Sequence, residues 1–107
     1  MVMTIFKRGY KTYGVLNSFF RIPVYVVVEI WKRENAYITE ISKAIDVTYS
    51  HTSKAIQLLE ELELVKSKKE GRVKRVELTK KGKELGEMLA KSLGIIREAY
   101  GKIRDKR

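Results

Sequence analysis

The chain has 107 residues, enough for one domain, and 44% of them are hydrophobic, which excludes wholesale disorder. It contains no cysteine, so disulfides, thiolate metal sites and thiol nucleophiles are excluded. The formal net charge of +10 favours a polyanionic partner, with nucleic acid as the first candidate. The longest apolar run, residues 22–28, is too short to cross a bilayer, so we expect a cytoplasmic protein with no membrane partner. Abundant Lys and Glu with few Gln and Asn are typical of a thermophile protein.

The first part of the chain is predicted to form an N-terminal arm and one helix. Residues 1–14 show no clear period and are assigned to the arm. Pro23 suits the first turn of a helix, where its missing N–H is not needed, and that helix is expected to end near Asn35. Its apolar face has the spacing i, i+3, i+4 and i+7: Val24, Val27, Val28 and Trp31.

Two short helices with a tight turn between them are predicted next. Thr39 is expected to cap the first, and Thr48 the second, by accepting a hydrogen bond from a backbone N–H at Ser50 or His51. Asp46 in the turn is expected to adopt a left-handed conformation. The second helix buries one face and presents hydroxyls, an amide and an ammonium on the other, the groups that read base edges. The predicted DNA-binding residues of this segment are Thr48, Tyr49, Ser50, His51, Ser53, Lys54 and Gln57.

A basic β-hairpin is predicted to follow. Two β-prone runs, residues 64–68 and 73–78, flank a turn supplied by Gly71. Six cations within ten residues are opposed only by Glu70, which favours contact with DNA, while a solvated hairpin without a partner is the alternative. The predicted DNA-binding residues of the hairpin are Lys66, Lys68, Lys69, Arg72, Lys74 and Arg75.

A long last helix is predicted from Lys80 to about Arg104, with Thr79 as its cap. At 1.5 Å per residue it is about 40 Å long, more than a small core needs, and its heptad pattern predicts pairing with a second copy. The predicted dimer-interface residues are Leu85, Gly86, Leu89, Ser92, Ile96, Ala99 and Ile103. Small residues recur every four positions from Gly82 to Gly94 and predict close approach of another backbone, from the first long helix or from the partner; a bend is the alternative.

The expected fold class is mainly α with a small β-hairpin wing (α+β). We expect a winged helix-turn-helix domain over residues 15–79 and a dimerisation helix over residues 80–107, which together form one compact domain. The phrase "ITEISKAIDVTYSHTSKAIQLLEELELV", the basic hairpin and "VELTKKGKEL" together resemble winged-helix regulators of the MarR type. In that family Gly is usual where this chain has Asp46 and often found where it has Glu63, and an aliphatic residue is usual at Thr52.

The resemblance implies a homodimer that binds double-stranded DNA. One recognition helix per subunit, residues 49–62, would lie in the major groove, and the wing, residues 66–75, would lie on the backbone with Arg72 entering a minor groove. The chain is shorter than typical relatives and leaves no room for a separate effector pocket, so no small-molecule effector is expected.

The predicted function is therefore transcriptional regulation through DNA binding, without catalysis. One histidine and no cysteine offer too few ligands for a metal site, and no cofactor-binding motif is present, so neither a metal nor a cofactor is expected. An architectural, chromatin-like DNA-binding protein with little sequence preference is the first alternative. A winged helix that docks onto another protein is a weaker one.

Overall fold

The computed structural model describes Gly14 and residues 18–105, so most of the predicted arm, residues 1–14, lies outside the described part. The first helix whose limits the structure describes, α1, spans Ile22–Arg33 and has Pro23 in its first turn, as predicted. The predicted apolar face is only partly right. Val27 is fully buried, but Trp31 is 38% exposed, and the core-facing side is centred on residues such as Val26 and Ile30.

A short strand, β1 (Asn35–Tyr37), and the helix α2 (Ile38–Ile45) follow α1. The predicted cap of this helix, Thr39, is wrong, because Tyr37 is the N-cap residue and Thr39 lies inside α2. The carboxylate of Glu40 accepts the N–H of Tyr37 at 3.0 Å and so fixes this helix start.

The helix α3 spans Tyr49–Glu61, close to the predicted limits, and packs against α1 and α2. It leads into strands β2 (Val65–Glu70) and β3 (Val73–Leu78), which form the predicted hairpin. The connecting turn is shorter than expected, with only Gly71 and Arg72 between the strands.

The three strands form an antiparallel sheet in the order β1-β3-β2. Val76 of β3 pairs with Ala36 of β1 on one side and with Ser67 of β2 on the other. The buried side chains of Ala36, Val76 and Leu78 turn one face of this sheet to the core. β1 therefore extends the predicted hairpin by a third strand.

The last helix, α4, spans Lys80–Asp105, as predicted. The hydroxyl of Thr79 accepts the N–H of Gly82 at 3.1 Å, which confirms the predicted cap. The first half of α4 packs against α1 and β3, whereas the second half has large exposed apolar side chains such as Ile95 and Tyr100. A mainly helical winged fold with a long C-terminal helix, as the sequence predicted, is confirmed.

Candidate nucleic-acid interface

The turn between α2 and α3 determines the direction in which α3, the predicted recognition helix, runs. Asp46 lies in the left-handed region, at φ 56° and ψ 50°, as predicted. Its N–H donates to the carbonyl of Lys43 at 3.3 Å, and the N–H of Val47 donates to the carbonyl of Ser42 at 3.0 Å. These two bonds form a Schellman motif, which ends α2 and allows α3 to begin after only three intervening residues.

The N-terminus of α3 is capped by Thr48, as predicted. Its Oγ1 accepts the N–H of His51 at 3.2 Å and lies 3.0 Å from Nδ1 of the same residue. When the hydroxyl donates to Nδ1, the neutral imidazole carries its proton on Nε2, which is then free to donate to a ligand. Tyr49 and Ser50 form the exposed first turn beside this histidine.

α3 has one buried and one exposed face. Thr52, Ala55, Ile56 and Leu59 are buried against the core. All the predicted recognition residues except the half-buried Ser53 are exposed: Thr48, Tyr49, Ser50, His51, Lys54 and Gln57. The structure therefore brings the predicted polar residues together on the solvent-facing side of one helix.

Glu60 joins α3 to both strands of the wing. Its Oε2 accepts a hydrogen bond from the hydroxyl of Ser67 on β2 at 2.8 Å. Its Oε1 lies 4.0 Å from the ammonium of Lys74 on β3. Ser53 lies two helical turns before Glu60 and therefore on the same flank of α3. The flank of the recognition helix that holds Ser53 thus faces the wing.

A second cluster ties the outer side of the wing to β1. The guanidinium of Arg75 lies 2.8 Å from a carboxylate oxygen of Glu70 and donates to the phenolic oxygen of Tyr37 at 3.1 Å. It also lies over the Tyr37 ring, 5.3 Å from the centroid. The hydrogen bond to Tyr37 and the charge of Glu70 raise the pKa of Arg75 above its ordinary value.

The six predicted wing cations therefore fall into two groups. Lys74 and Arg75 are half-buried and contact acidic groups of the same chain. The other four are exposed: Lys66, Lys68, Lys69 and Arg72. Arg72 stands at the tip, next to Gly71, whose φ of 64° allows the tight turn.

Three residues of this surface are not among those predicted from the sequence: Tyr37, Glu60 and Glu70. Tyr37 is brought to the wing by the pairing of β1 with β3, a contact between residues far apart in the sequence. The sequence predicted for Glu70 only that it opposes the charge of the lysines. No local sequence signal identifies these anchoring roles.

The residues predicted for the dimer interface also divide into two groups. Leu85 and Leu89 pack against the core of their own protomer, and a Cβ at Gly86 would lie 2.6 Å from Cδ1 of Trp31. A Cβ at Gly82 would overlap the carbonyl oxygen of Leu64. The remaining four predicted residues are exposed: Ser92, Ile96, Ala99 and Ile103. Among the glycines of α4, another described backbone therefore approaches closely only at Gly82, and it is that of Leu64, not of the first long helix; at Gly86 the close neighbour is the side chain of Trp31.

No group of three or more His, Cys, Asp or Glu side chains within the described part of the chain is arranged to hold a metal ion. No described helix combines the length and the apolar character that a membrane span requires.

Residues 24–82 match the family model described as "Winged helix DNA-binding domain". No curated protein matches the sequence of this chain. Among solved structures, AF1382 from Archaeoglobus fulgidus is 23% identical, with a TM-score of 0.66 over 69% of this chain and 86% of that one. The adhesin competence repressor AdcR from Streptococcus pyogenes is 16% identical, with a TM-score of 0.75 over 92% of this chain and 81% of that one.

FabT from Streptococcus pneumoniae, solved in complex with DNA, is 22% identical, with a TM-score of 0.66 over 79% of this chain and 59% of that one. At these identities the likeness establishes the fold, and the resemblance to winged-helix proteins of the MarR type is confirmed at that level. The family model covers more than half of the chain, from α1 through the wing to the start of α4. The chain therefore belongs to the winged helix DNA-binding domain family.

Proposed function

We propose that the chain is a homodimeric transcriptional regulator that binds double-stranded DNA. In this proposal α3 lies in the major groove, and the wing, residues 66–75, lies along the backbone with Arg72 in the adjacent minor groove. One observation supports the proposal most directly. The exposed polar face of α3 lies next to a cationic hairpin, and Glu60 connects the two.

The exposed face of α3 has the chemistry of direct base readout. The amide of Gln57 can bond adenine in a bidentate manner, and the ammonium of Lys54 can donate to guanine. Ser50 and His51 at the start of the helix can donate to a base edge or to a phosphate. Tyr49, which is 52% exposed, adds an aromatic surface beside them. These groups distinguish α3 from a helix that only packs.

The wing supplies the part of the binding energy that does not depend on sequence. Lys66, Lys68 and Lys69 make no ion pair with another described residue, so their charges are available to phosphates. Because each neutralised phosphate releases counterions, we expect the affinity for DNA to fall steeply with salt. The DNA-bound state of the structurally similar FabT supports the choice of duplex DNA as the ligand.

The second half of α4 supports the homodimer. Three large apolar side chains in this half of α4 are exposed: Ile96, Tyr100 and Ile103. A stripe of this kind on a helix that extends beyond its own core is typical of a helix that pairs with another. A twofold pair would present two copies of α3 to successive major grooves.

The architectural alternative is favoured by the charge outside the wing. Residues 79–107 contain nine Lys or Arg and four Asp or Glu, an excess that could hold DNA without reading its sequence. The two functions differ in the preference for one site over random DNA. A regulator is expected to prefer its site by about 10³-fold or more, whereas an architectural protein is not.

The test is selection of bound sequences from a random duplex pool, followed by competition binding with random DNA. Enrichment of one short palindrome supports the regulator, and salt-dependent binding without enrichment supports the architectural protein. Absence of any salt-dependent binding leaves the protein-docking winged helix. Lys54→Ala combined with Gln57→Ala should flatten the preference, whereas Lys32→Ala, which removes one cation from α1, should leave it unchanged.

A further inference from the structure

α4 carries a second apolar flank that the rest of the described chain leaves in solvent. Met88 and Ile95 expose 66% and 69% of their surface, and Ser92 and Ala99 are exposed as well. The spacing of these four residues is four, three and four positions. This spacing aligns them on one side of an α-helix and matches the a and d positions of a coiled coil.

This flank is distinct from the face that α4 turns to its own protomer. At about 100° per residue, it lies roughly 110° around the helix from the side that contains Gly86 and Leu89. α4 can therefore pack on its own winged-helix domain and on a second helix at the same time. Three residues predicted from the sequence for the dimer interface instead pack within the protomer: Leu85, Gly86 and Leu89.

We propose that this flank pairs with the same flank of a second copy, with the two α4 helices antiparallel. Met88 then lies opposite Ala99 of the partner subunit, and Ser92 lies opposite Ile95 of the partner subunit. The inference rests on the homodimer of the proposed function. It places Met88, Ser92, Ile95 and Ala99 at the centre of the helix pair, with the exposed Ile96 and Ile103 bordering that seam, and it adds the direction and the register.

The sizes of the side chains favour this register. Each layer contains one large and one small residue, Met88 with the partner's Ala99 and Ile95 with the partner's Ser92. The two helices can then stay at a constant separation and fill the space between them at the density of a protein core. A parallel pair in register would put large against large and small against small, which leaves layers of unequal thickness.

The polar groups along the flank are compatible with burial in the same arrangement. The hydroxyl of Ser92 donates to the carbonyl of Met88 at 3.0 Å, so covering it leaves no donor without a partner. Lys91 and Glu98 each precede a residue of the seam. Antiparallel pairing brings Lys91 close to Glu98 of the partner subunit, and the twofold axis repeats this contact. In a parallel pair Lys91 would instead face the partner's Ile96.

Disulfide trapping tests the direction, because the chain has no cysteine and an introduced thiol is unique. M88C and A99C are prepared separately, mixed in equal amounts, allowed to exchange and oxidised gently. The expected main product is a disulfide-linked dimer with one chain of each variant, identified by its mass. Predominance of M88C–M88C and A99C–A99C products would overturn the antiparallel register.

A charge swap provides a test that does not depend on oxidation. Glu98→Lys should raise the dimer dissociation constant measured by sedimentation, and adding Lys91→Glu should restore it. Failure of the second change to restore dimerisation would overturn the proposed pair. A wild-type chain that sediments as a monomer would overturn the homodimer together with the register, whereas a dimer with the wrong cross-links would overturn the register alone. Affinity for DNA, measured separately, tests the remainder of the proposed function.

Discussion

The guanidinium of Arg75 lies 5.3 Å from the centroid of the Tyr37 ring and donates a hydrogen bond to its hydroxyl, so that it links β3 to β1. The same group pairs with Glu70 on β2, and all three strands of the sheet meet at this one side chain. A cation in a basic hairpin of a DNA-binding domain would ordinarily be assigned to phosphate. At Arg75 the charge is engaged within the chain, and we expect this residue to affect DNA binding only through the position of the wing.

Arg72→Ala and Arg75→Ala are therefore expected to have different effects. Arg72 is exposed at the wing tip, so its loss should weaken binding to all sequences alike, reduce the salt slope by about one and leave the melting temperature unchanged. Arg75→Ala should lower the melting temperature, because it removes the contacts to Tyr37 and Glu70. Binding titrations at several salt concentrations and thermal melts of both variants provide the comparison. Equal melting temperatures would contradict the structural role of Arg75.

The helix-turn-helix and the wing could be predicted because their signals are local. Thr48, Asp46 and Gly71 each determine a cap or a turn through their own chemistry, and the structure has them in those roles. β1 could not be predicted in the same way. Three residues show no strand period, and the strand forms only because β3 provides a paired edge. The anchoring contact at Tyr37 depends on that strand and was missed with it.

The inner half of α4 illustrates the same limit. The heptad pattern predicted Leu85 and Leu89 for a dimer interface, whereas both pack against the core of their own protomer, because a pattern does not show whether the covering helix belongs to the same chain. The answer depends on how α1 crosses α4, and that crossing places Trp31 over Gly86. The residues of α4 that pack within the protomer can therefore be told from those left for a partner only in the tertiary structure.

Gly86→Ala is predicted to destabilise the fold. The added Cβ would lie 2.6–3.0 Å from Cδ1, Cγ and Cβ of Trp31, atoms near the root of the side chain that cannot move freely. Overpacking costs about 1–3 kcal/mol, which exceeds or cancels the gain of about 1 kcal/mol in helix propensity.

Gly94→Ala is the matched control, since no atom lies within 4 Å of a Cβ built there. It should raise the free energy of unfolding by up to about 1 kcal/mol. Denaturant unfolding of the two variants measures the contrast. A Gly86→Ala variant as stable as Gly94→Ala would refute the contact with Trp31.

Glu63→Gly is predicted to stabilise the chain. Glu63 follows α3 with φ of 60°, and its N–H and that of Leu64 donate to the carbonyls of Glu60 and Leu59, a second Schellman motif. The left-handed conformation costs an L-residue about 1–2 kcal/mol, and glycine removes that cost while losing about 0.5–1 kcal/mol of backbone entropy. The net gain should be about 0.5–1 kcal/mol.

Gly71→Ala is the opposite substitution, from glycine to an L-residue, at a similar backbone conformation. Gly71 has φ of 64°, and no atom lies within 4 Å of a Cβ built there. The substitution should lower the free energy of unfolding by about 1–2 kcal/mol. Both values come from denaturant melts under the same conditions. A destabilised Glu63→Gly variant would mean that the side chain of Glu63 makes a contact more valuable than the strain it introduces.

Two threonines four residues apart in the sequence give the last prediction, since the same change from hydroxyl to methyl should have different effects at each. Thr48→Val removes the cap of α3 and leaves the N–H of His51 without its acceptor, which should cost about 1 kcal/mol. Thr52 is fully buried, and its hydroxyl donates to the carbonyl of Thr48 at 2.9 Å. That carbonyl also accepts the N–H of Thr52 at 3.0 Å, so Thr52→Val leaves no buried group unpaired.

The stability of Thr52→Val should therefore stay within about 1 kcal/mol of the parent, because the lost hydrogen bond is offset by apolar burial. Its affinity for DNA should be unchanged, while Thr48→Val should weaken binding as the first turn of α3 frays. Urea unfolding of both variants measures the difference in stability, and DNA titration measures the difference in affinity. A large loss of stability in Thr52→Val would show that the hydroxyl bond, and not the shape of the side chain, holds α3 in place.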